Sequence, residues 1–146
     1  MGVGNIYRSD DAIGILVARK INEFKFEDIT VQEHSGEGTS LMEAWNGHER
    51  VIIIDAVSSG SSPGDIHHID ASKNTIPAKY FSCSSHNFGV AEAIEMARTL
   101  DQLPKHILLY GIEGKNFHPS EIVSPEIIKA GETVTKEILE SISSLT

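Results

Sequence analysis

The chain has 146 residues, 40% of them hydrophobic, which is the size and composition of one ordinary domain, and we predict a single domain over residues 1–146. With 21 acidic and 12 basic residues it carries a formal charge of −9 and has no run of Lys and Arg, which argues against nucleic acid and membrane partners. It also lacks the roughly 20-residue apolar stretch of a membrane span and the features of a signal peptide, so we expect a cytoplasmic protein.

The N-terminal part of the chain predicts a helix, a strand and a second helix. From residue 11 to residue 24 apolar side chains recur at helical spacing, which indicates an amphipathic helix that begins at Asp10 and Asp11. A short strand is predicted at 29–32, followed by a glycine-rich turn and the second helix. The apolar residues assigned to the two helices are Ile13, Leu16, Val17, Ile21, Phe24, Leu41, Met42 and Trp45.

Strands and helices alternate through the rest of the chain. Val51-Ile52-Ile53-Ile54 is a β-branched run too short for a helix, as expected of a parallel strand buried on both faces, and Asp55 follows at its carboxyl end. Next come a more polar strand, a helix and a strand, at 65–69, 88–100 and 106–110. Ser124 and Pro125 are typical of the N-cap and first turn of a last helix. This order predicts an α/β fold with a mostly parallel sheet covered on both faces.

The loop Gly2-Val3-Gly4-Asn5 allows two interpretations. A glycine pair before a helix is typical of a dinucleotide-binding turn, but Tyr7 replaces the third glycine of G-x-G-x-x-G. Asp10 and Asp11 also stand where a phosphate would need backbone N–H groups without acidic side chains. The helix dipole alone accounts for the two aspartates, since acidic residues in a first turn stabilise a helix by a few tenths to about 1 kcal/mol each.

Asp55 and His86 are further candidate site residues. Asp55 ends an apolar strand, where partial burial would require a partner or a metal, although capping of the next loop accounts for it equally well. His86 follows small polar residues and precedes a helix, and its alternative is a capping or surface role. We expect structural or solvated roles for His67, His68, His106 and His118. With a carboxylate of the Asp10-Asp11 pair, the two residues make a set of oxygen and nitrogen donors that suits a metal.

The segment Cys83-Ser84-Ser85-His86 raises the alternative of covalent catalysis. Neighbouring residues of an extended segment point to opposite faces, so Ser85 and His86 are poorly placed to share a proton. There is no G-x-S-x-G elbow, and Cys83 would need a base from elsewhere. As the single cysteine, Cys83 also excludes an internal disulfide and a metal site built from cysteines of one chain.

Taken together, the motifs resemble those of the hydrogenase maturation proteases. The first motif is GVGNIYRSDDAIG at 2–14, and the second is Asp55-Ala56-Val57 with Gly60 and Pro63-Gly64. The third is SSHNFG at 84–89, and the fourth is GIEG at 111–114. They follow the family's order and span nearly the whole chain, which makes the set far more specific than any one motif.

The resemblance implies an endopeptidase that removes a short C-terminal extension from the large-subunit precursor of a nickel-iron hydrogenase after nickel insertion. It also implies a three-layer α/β/α sandwich around a twisted sheet of about five strands, in agreement with the order of elements. The family's metal-binding positions fall on Asp11, Asp55 and His86, which we predict to be both metal ligands and catalytic residues. The nickel is expected to arrive with the substrate, so that the protease checks for it before cutting.

Two carboxylates and an imidazole suit a borderline ion such as Ni²⁺ and leave positions for water or substrate atoms. Other divalent ions, such as Cu²⁺ or Zn²⁺, are expected to occupy the same donors in vitro. The attacking water would be activated either by the metal or by a carboxylate, and both routes stay open. A non-catalytic nickel-binding protein of hydrogenase assembly would share the three ligands and is the alternative function.

The chain departs from the family pattern in two places. Met1 directly precedes Gly2, whereas relatives usually begin with several apolar residues of a strand, so we expect the first strand to be truncated and the sheet less stable. Residues 33–38, EHSGEG, replace a turn that contains Asp-Gly. Their glycines suit a tight turn at the mouth of the same cleft, where Glu37 would face either substrate or solvent.

Overall fold

One five-stranded sheet lies at the centre of the fold. The structure is a computed structural model in which residues 1–81 and 86–144 are described. The strands are β1 (Gly2–Val3), β2 (Glu33–His34), β3 (Arg50–Val57), β4 (Ile66–Asp70) and β5 (His106–Glu113). Their order is β2-β1-β3-β5-β4, with β4 antiparallel to β5 and the other neighbours parallel.

Helices cover the sheet in two layers. They are α1 (Ile13–Asn22), α2 (Gly38–Trp45), α3 (Val90–Thr99) and α4 (Pro125–Ser144). Helix α1 packs with α4 on one face, and α2 packs with α3 on the other. The three-layer α/β/α sandwich and the mostly parallel sheet predicted from the sequence are therefore confirmed. Within the described part of the chain, no helix has the length and apolar character needed to cross a membrane.

Strand β3 shows how the sheet is buried on both faces. Ile53 and Val57 pack into the apolar cluster with α2 and α3, whereas Ile54 and Ala56 pack into the cluster with α1 and α4. Side chains alternate between the faces of a strand, so each helix layer takes every second residue. This is why a strand with two covered faces has an uninterrupted apolar sequence.

Helix α1 approaches the sheet most closely at Gly14. A Cβ atom at this position would lie 2.3 Å from the carbonyl oxygens of both Val3 and Ile54. Any larger side chain would push α1 away from β1 and β3, because the two oxygens belong to backbone that cannot rotate aside. Glycine at the end of the first motif therefore allows the helix to lie directly on the two strands.

Three element boundaries differ from the predictions. Strand β2 lies at Glu33–His34 instead of 29–32, because these are the residues that pair with Gly2 and Val3 of β1. Strand β3 continues to Val57 by pairing with the end of β5, so Asp55 lies inside the strand and not after it. The first helix begins with a 3-10 turn at Ser9–Ala12 ahead of α1.

Two residues near the helix ends also differ from expectation. Helix α1 ends at Asn22, so Phe24 lies beyond it, where its ring is 56% exposed and stacks on Phe26 with centroids 6.0 Å apart. Ser124 directly precedes α4 as predicted, but its hydroxyl donates to a carboxylate oxygen of Asp10 at 3.0 Å. The serine therefore ties the start of α4 to another part of the chain.

The parallel strands β1, β2 and β3 end at the same edge of the sheet. The chain leaves β1 through α1 on one face and leaves β2 through α2 on the opposite face. Because these helices lie on opposite faces, the connection after β1 and the connection after β2 run in opposite directions across the sheet. The reversal falls between β1 and β3. Open α/β sheets hold their ligands at such a switch point, outside the carboxyl ends of the strands.

Candidate functional site

Several segments of the chain meet at this carboxyl edge. Strand β1 continues into the loop that carries Asp11, β2 continues into Ser35, and β3 carries Asp55 near its end. His86 joins them from the segment before α3, because its Nε2 lies 3.2 Å from the carbonyl oxygen of Ser35. The three predicted site residues therefore come from different elements to one edge of the sheet.

The loop that carries Asp11 is shaped by Gly4 and Asn5. A Cβ atom at Gly4 would lie 1.9 Å from the carbonyl oxygen of Asp11. The backbone N–H of Asn5 donates to that same oxygen at 3.3 Å, and the Asn5 side-chain oxygen accepts the N–H of Tyr7 at 2.9 Å. These contacts fold the loop back against Asp11, which gives a structural reason for Gly-Asn ahead of the acidic pair.

Asp10 and Asp11 are neighbours with different environments. Asp10 is fully buried, and its carboxylate accepts the backbone N–H groups of Lys115, Asn116 and Ser124 at 2.8, 2.8 and 2.7 Å. Burial alone would raise the pKa of Asp10, but the hydrogen bonds from Ser124, Asn116 and Lys115 outweigh it and hold the pKa below its usual value. Asp10 thus binds the Asp11 loop to the loop after β5, a role beyond the helix-dipole effect expected from the sequence.

Asp11 and Asp55 are close enough for their charges to repel. Burial raises the pKa of Asp55 well above its usual value, and the Asp11 carboxylate raises it further. Burial also raises the pKa of Asp11, while the Arg8 guanidinium, a hydrogen bond from the Asn5 backbone and His86 oppose that rise. Two half-buried carboxylates, one of which raises the pKa of the other, are stabilised by a cation or a proton between them, which is typical of metal and acid–base sites.

The ring of His86 is oriented by a backbone carbonyl. When Nε2 carries the proton it donates to Ser35, and Nδ1 then presents the lone pair. Metal-ligating histidines commonly donate their other N–H in this way, because the bond fixes the tautomer and the ring orientation. His86 also lowers the pKa of Asp11, so the imidazole lies near that carboxylate.

His34 is a site neighbour that the sequence analysis did not single out. It ends β2, and its Nδ1 accepts the N–H of Gly36 at 3.0 Å. Burial lowers the pKa of His34, Glu37 opposes that effect, and the nearby His86 lowers the pKa further. The sequence signal that could have identified His34 is its position at the end of a parallel strand. It was missed because that strand was predicted a few residues too early.

Glu37 caps helix α2. Its carboxylate accepts the N–H groups of Thr39 and Ser40, both at 3.0 Å, and the Ser40 hydroxyl at 2.9 Å. These bonds lower the pKa of Glu37 to about 2. The capping explains an acidic residue at this position without any contact to a substrate.

Two of the other histidines form pairs away from the predicted trio. His67 Nε2 lies 3.2 Å from a carboxylate oxygen of Glu113, which is 2% exposed and also accepts the N–H of Ser59 at 2.7 Å. His68 pairs with Glu137 of α4 at 2.8 Å. The two pairs join β4 to β5 and to α4, which is a structural role of the kind expected for His67 and His68 from the sequence.

The predicted residues share an edge without forming a closed metal site. Among residues 1–81 and 86–144, no group of three His, Cys, Asp or Glu side chains is close enough to hold a metal ion. Asp11 interacts electrostatically with both Asp55 and His86, so it lies at the centre of the set. Their carboxylate and imidazole donors suit nickel chemically. Cys83, Ser84 and Ser85, weighed as nucleophiles, lie outside the described residues.

A cavity of 390 Å³ opens beside His86. The loop at 4–7 and Ile15 of α1 line it, and an ion pair between Arg19 and Glu33 borders it, with two N–H···O bonds of 2.9 Å. The volume suits small ligands or the side chains of a peptide, and His86 is the member of the predicted trio that lines the cavity. A larger groove of 780 Å³ runs between α1 and α4, away from these residues.

Comparison with known proteins extends this description. A family profile described as hydrogenase maturation protease matches residues 15–141, a range that includes Asp55 and His86. The chain is 24% identical over 146 residues to the hydrogenase 2 maturation protease of Escherichia coli K12, with 97% of this chain and 88% of that protein covered. It is 28% identical over 120 residues to the hydrogenase expression/formation protein HupD of Bradyrhizobium diazoefficiens, covering 77% of this chain and only 60% of that relative.

A solved structure agrees with the sequence matches. The solution structure of an endopeptidase from Escherichia coli superposes with a TM-score of 0.82 at 25% identity, over 98% of this chain and 90% of that chain. The match extends over both helix layers and the sheet between them, because it covers nearly the whole chain. The chain therefore belongs to the hydrogenase maturation protease family, a family of endopeptidases and so of hydrolases.

Proposed function

We propose that this protein removes the C-terminal extension of a nickel-iron hydrogenase large-subunit precursor after nickel has been inserted. The observation that carries the proposal is the meeting of Asp11, Asp55 and His86 at one edge of the sheet, with the Asp11 charge raising the pKa of Asp55. A divalent cation would relieve the repulsion between these carboxylates. The nickel belongs to the substrate and arrives with it. The cytoplasmic location expected from the sequence stays a prediction.

The three side chains engage the nickel of the precursor and place the scissile bond beside it. The substrate supplies the remaining ligands of the nickel. Hydrolysis adds the oxygen of water to the peptide carbonyl carbon and a proton to the leaving nitrogen. A carboxylate of the pair is suited to move that proton. The cavity beside His86 takes the peptide next to the cleavage point.

The direct test is cleavage of nickel-loaded and nickel-free precursor, with mass spectrometry to detect loss of the extension. We expect the loaded form to be cut and the nickel-free form to stay intact. Cutting of both forms would eliminate the nickel check but keep the protease. Cutting of neither would favour the non-catalytic nickel-binding role.

Matched variants make the test specific to the three residues. Asp55→Asn and His86→Ala should abolish cleavage of the loaded precursor. Asp65→Asn and His106→Ala change the same residue types at exposed positions and should leave cleavage unchanged. Full activity of Asp55→Asn would eliminate the proposed site.

A further inference from the structure

We propose that Arg8 weakens the binding of free divalent metal at the site, so that nickel is engaged when a substrate protein presents it. The inference rests on the proposed function, because it concerns how the same site distinguishes substrate-borne nickel from free nickel. Arg8 acts through Asp11 and is therefore a positioning residue.

The Arg8 guanidinium is paired with a predicted ligand. Its Nη1 lies 3.9 Å from Oδ2 of Asp11, and the two side chains are 34% and 16% exposed. This ion pair includes Asp11, one of the three predicted site residues. Because the carboxylate is largely buried, solvent and salt screen the pair less than a surface pair.

The backbone holds Arg8 in a fixed position relative to Asp11. The N–H of Arg8 donates to the carbonyl oxygen of Asn5, and the N–H of Asp11 donates to the carbonyl oxygen of Arg8, both at 3.1 Å. On its other side Arg8 forms a parallel bridge with Ser120, whose N–H donates to Tyr7 at 3.0 Å. The Arg8 side chain therefore extends from a loop whose backbone is held by hydrogen bonds beside the Asp11 carboxylate.

Two other nearby cations are engaged with acidic partners elsewhere. Arg19 forms its two-bond pair with Glu33, and Nζ of Lys115 lies 3.5 Å from Glu126. The pairing of Arg8 with a predicted ligand thus differs from that of these neighbours.

The pairing imposes a cost on free metal. A hydrated Ni²⁺ ion must separate the carboxylate of Asp11 from Arg8 and then bind close to a positive charge. Nickel held by anionic ligands of a substrate protein carries a smaller net charge, and the contacts of that protein add binding energy that offsets the cost. The guanidinium therefore penalises the free ion more than the substrate-borne ion.

The test measures binding of free NiCl₂ to the full chain by titration calorimetry. Arg8→Met should bind nickel about tenfold more tightly than the wild type, because it removes one positive charge a few ångströms from the ion. Arg8→Lys keeps the charge and should bind like the wild type. Lys20→Met removes the same charge from an exposed i,i+3 pair with Glu23 and should change nothing.

The chain has 7 histidines, so the measurement is repeated in an Asp11→Asn background to isolate the site. The gain from Arg8→Met should vanish there, because without the Asp11 carboxylate the ion is no longer held beside Arg8. Unchanged or weaker nickel binding by Arg8→Met, no measurable binding by that variant, or an equal gain in the Asp11→Asn background would each overturn the inference.

Precursor cleavage separates this inference from the proposed function. Cleavage by the wild type together with unchanged nickel affinity of Arg8→Met would reject the role of Arg8 and keep the protease. Tighter nickel binding by Arg8→Met in a chain that cuts no precursor would support the role of Arg8 in metal affinity and reject the proposed cleavage.

Discussion

The carboxylate of Asp10 accepts both the backbone N–H and the hydroxyl of Ser124, which lies 114 positions later in the chain. The same carboxylate accepts the N–H groups of Lys115 and Asn116. The shape of the loop that carries Asp11 therefore depends on the segment just before α4. An aspartate required by the fold stands directly beside one that we assign to the chemistry.

Exchanging the two aspartates for alanine should separate these roles. Asp10→Ala should lower the free energy of unfolding by about 3 kcal/mol, because it leaves buried N–H groups without an acceptor. Asp11→Ala should cost less than about 1 kcal/mol and abolish precursor cleavage, since burial already disfavours the charge of Asp11. Urea denaturation and the cleavage assay measure the two effects. A larger loss of stability in Asp11→Ala would contradict the assignment.

Asp10 should also make stability sensitive to acid. Because its pKa in the folded chain lies below the ordinary value of 3.8, its stabilising effect is complete above that value and is lost as the pH falls through the lowered one. We expect Asp10→Asn to have a lower Tm at neutral pH and a shallower loss of Tm in acid. Thermal melts from pH about 6 to about 2 test this, and parallel curves for the two proteins would count against it.

Asp55 should show the opposite dependence. Its pKa is raised in the folded chain, so stability falls as the pH rises from the ordinary value of 3.8 to the raised one. Asp55→Asn removes this fall, and the variant should be at least as stable as the wild type at neutral pH. Cleavage should nevertheless drop by at least about 100-fold. The prediction fails if Asp55→Asn is clearly less stable at neutral pH, as measured by urea denaturation.

Two glycine substitutions should differ in cost because their neighbours differ. A Cβ at Gly131 would lie 2.6 Å from the Cδ1 atom of Ile13, a side-chain end that can rotate away. A Cβ at Gly14 meets two backbone oxygens that cannot. Gly14→Ala should therefore lose at least about 3 kcal/mol of stability and Gly131→Ala much less, partly offset by the better helix propensity of alanine. Similar midpoints in urea would refute this account.

Local patterns in the sequence predicted most of the fold. The β-branched run at 51–54 could be assigned because a strand covered on both faces needs an apolar residue at every position. The end of that strand was predicted too early because the charge of Asp55 suggested a loop. Pairing with β5 keeps Asp55 in the strand, and such pairing between distant segments is not visible in local sequence.

The candidate site was predicted from its motifs, but its supporting contacts were not. Asp11, Asp55 and His86 were named through the resemblance of the motifs to those of the family. The role of Asp10 could not be predicted, because its three backbone donors lie more than 100 positions away. The carbonyl that orients His86 comes from Ser35, and no local pattern joins those two segments.

The contact between Asp10 and Ser124 has a consequence for how the protein is made. A nascent chain that ends before residue 124 already contains Asp11, Asp55 and His86, yet the partner that secures the first loop has not been synthesised. Long-range contacts of this kind also form late in folding, because they close a large loop. The order of synthesis therefore delays completion of the proposed peptidase site until the segment that contains Ser124 has emerged from the ribosome.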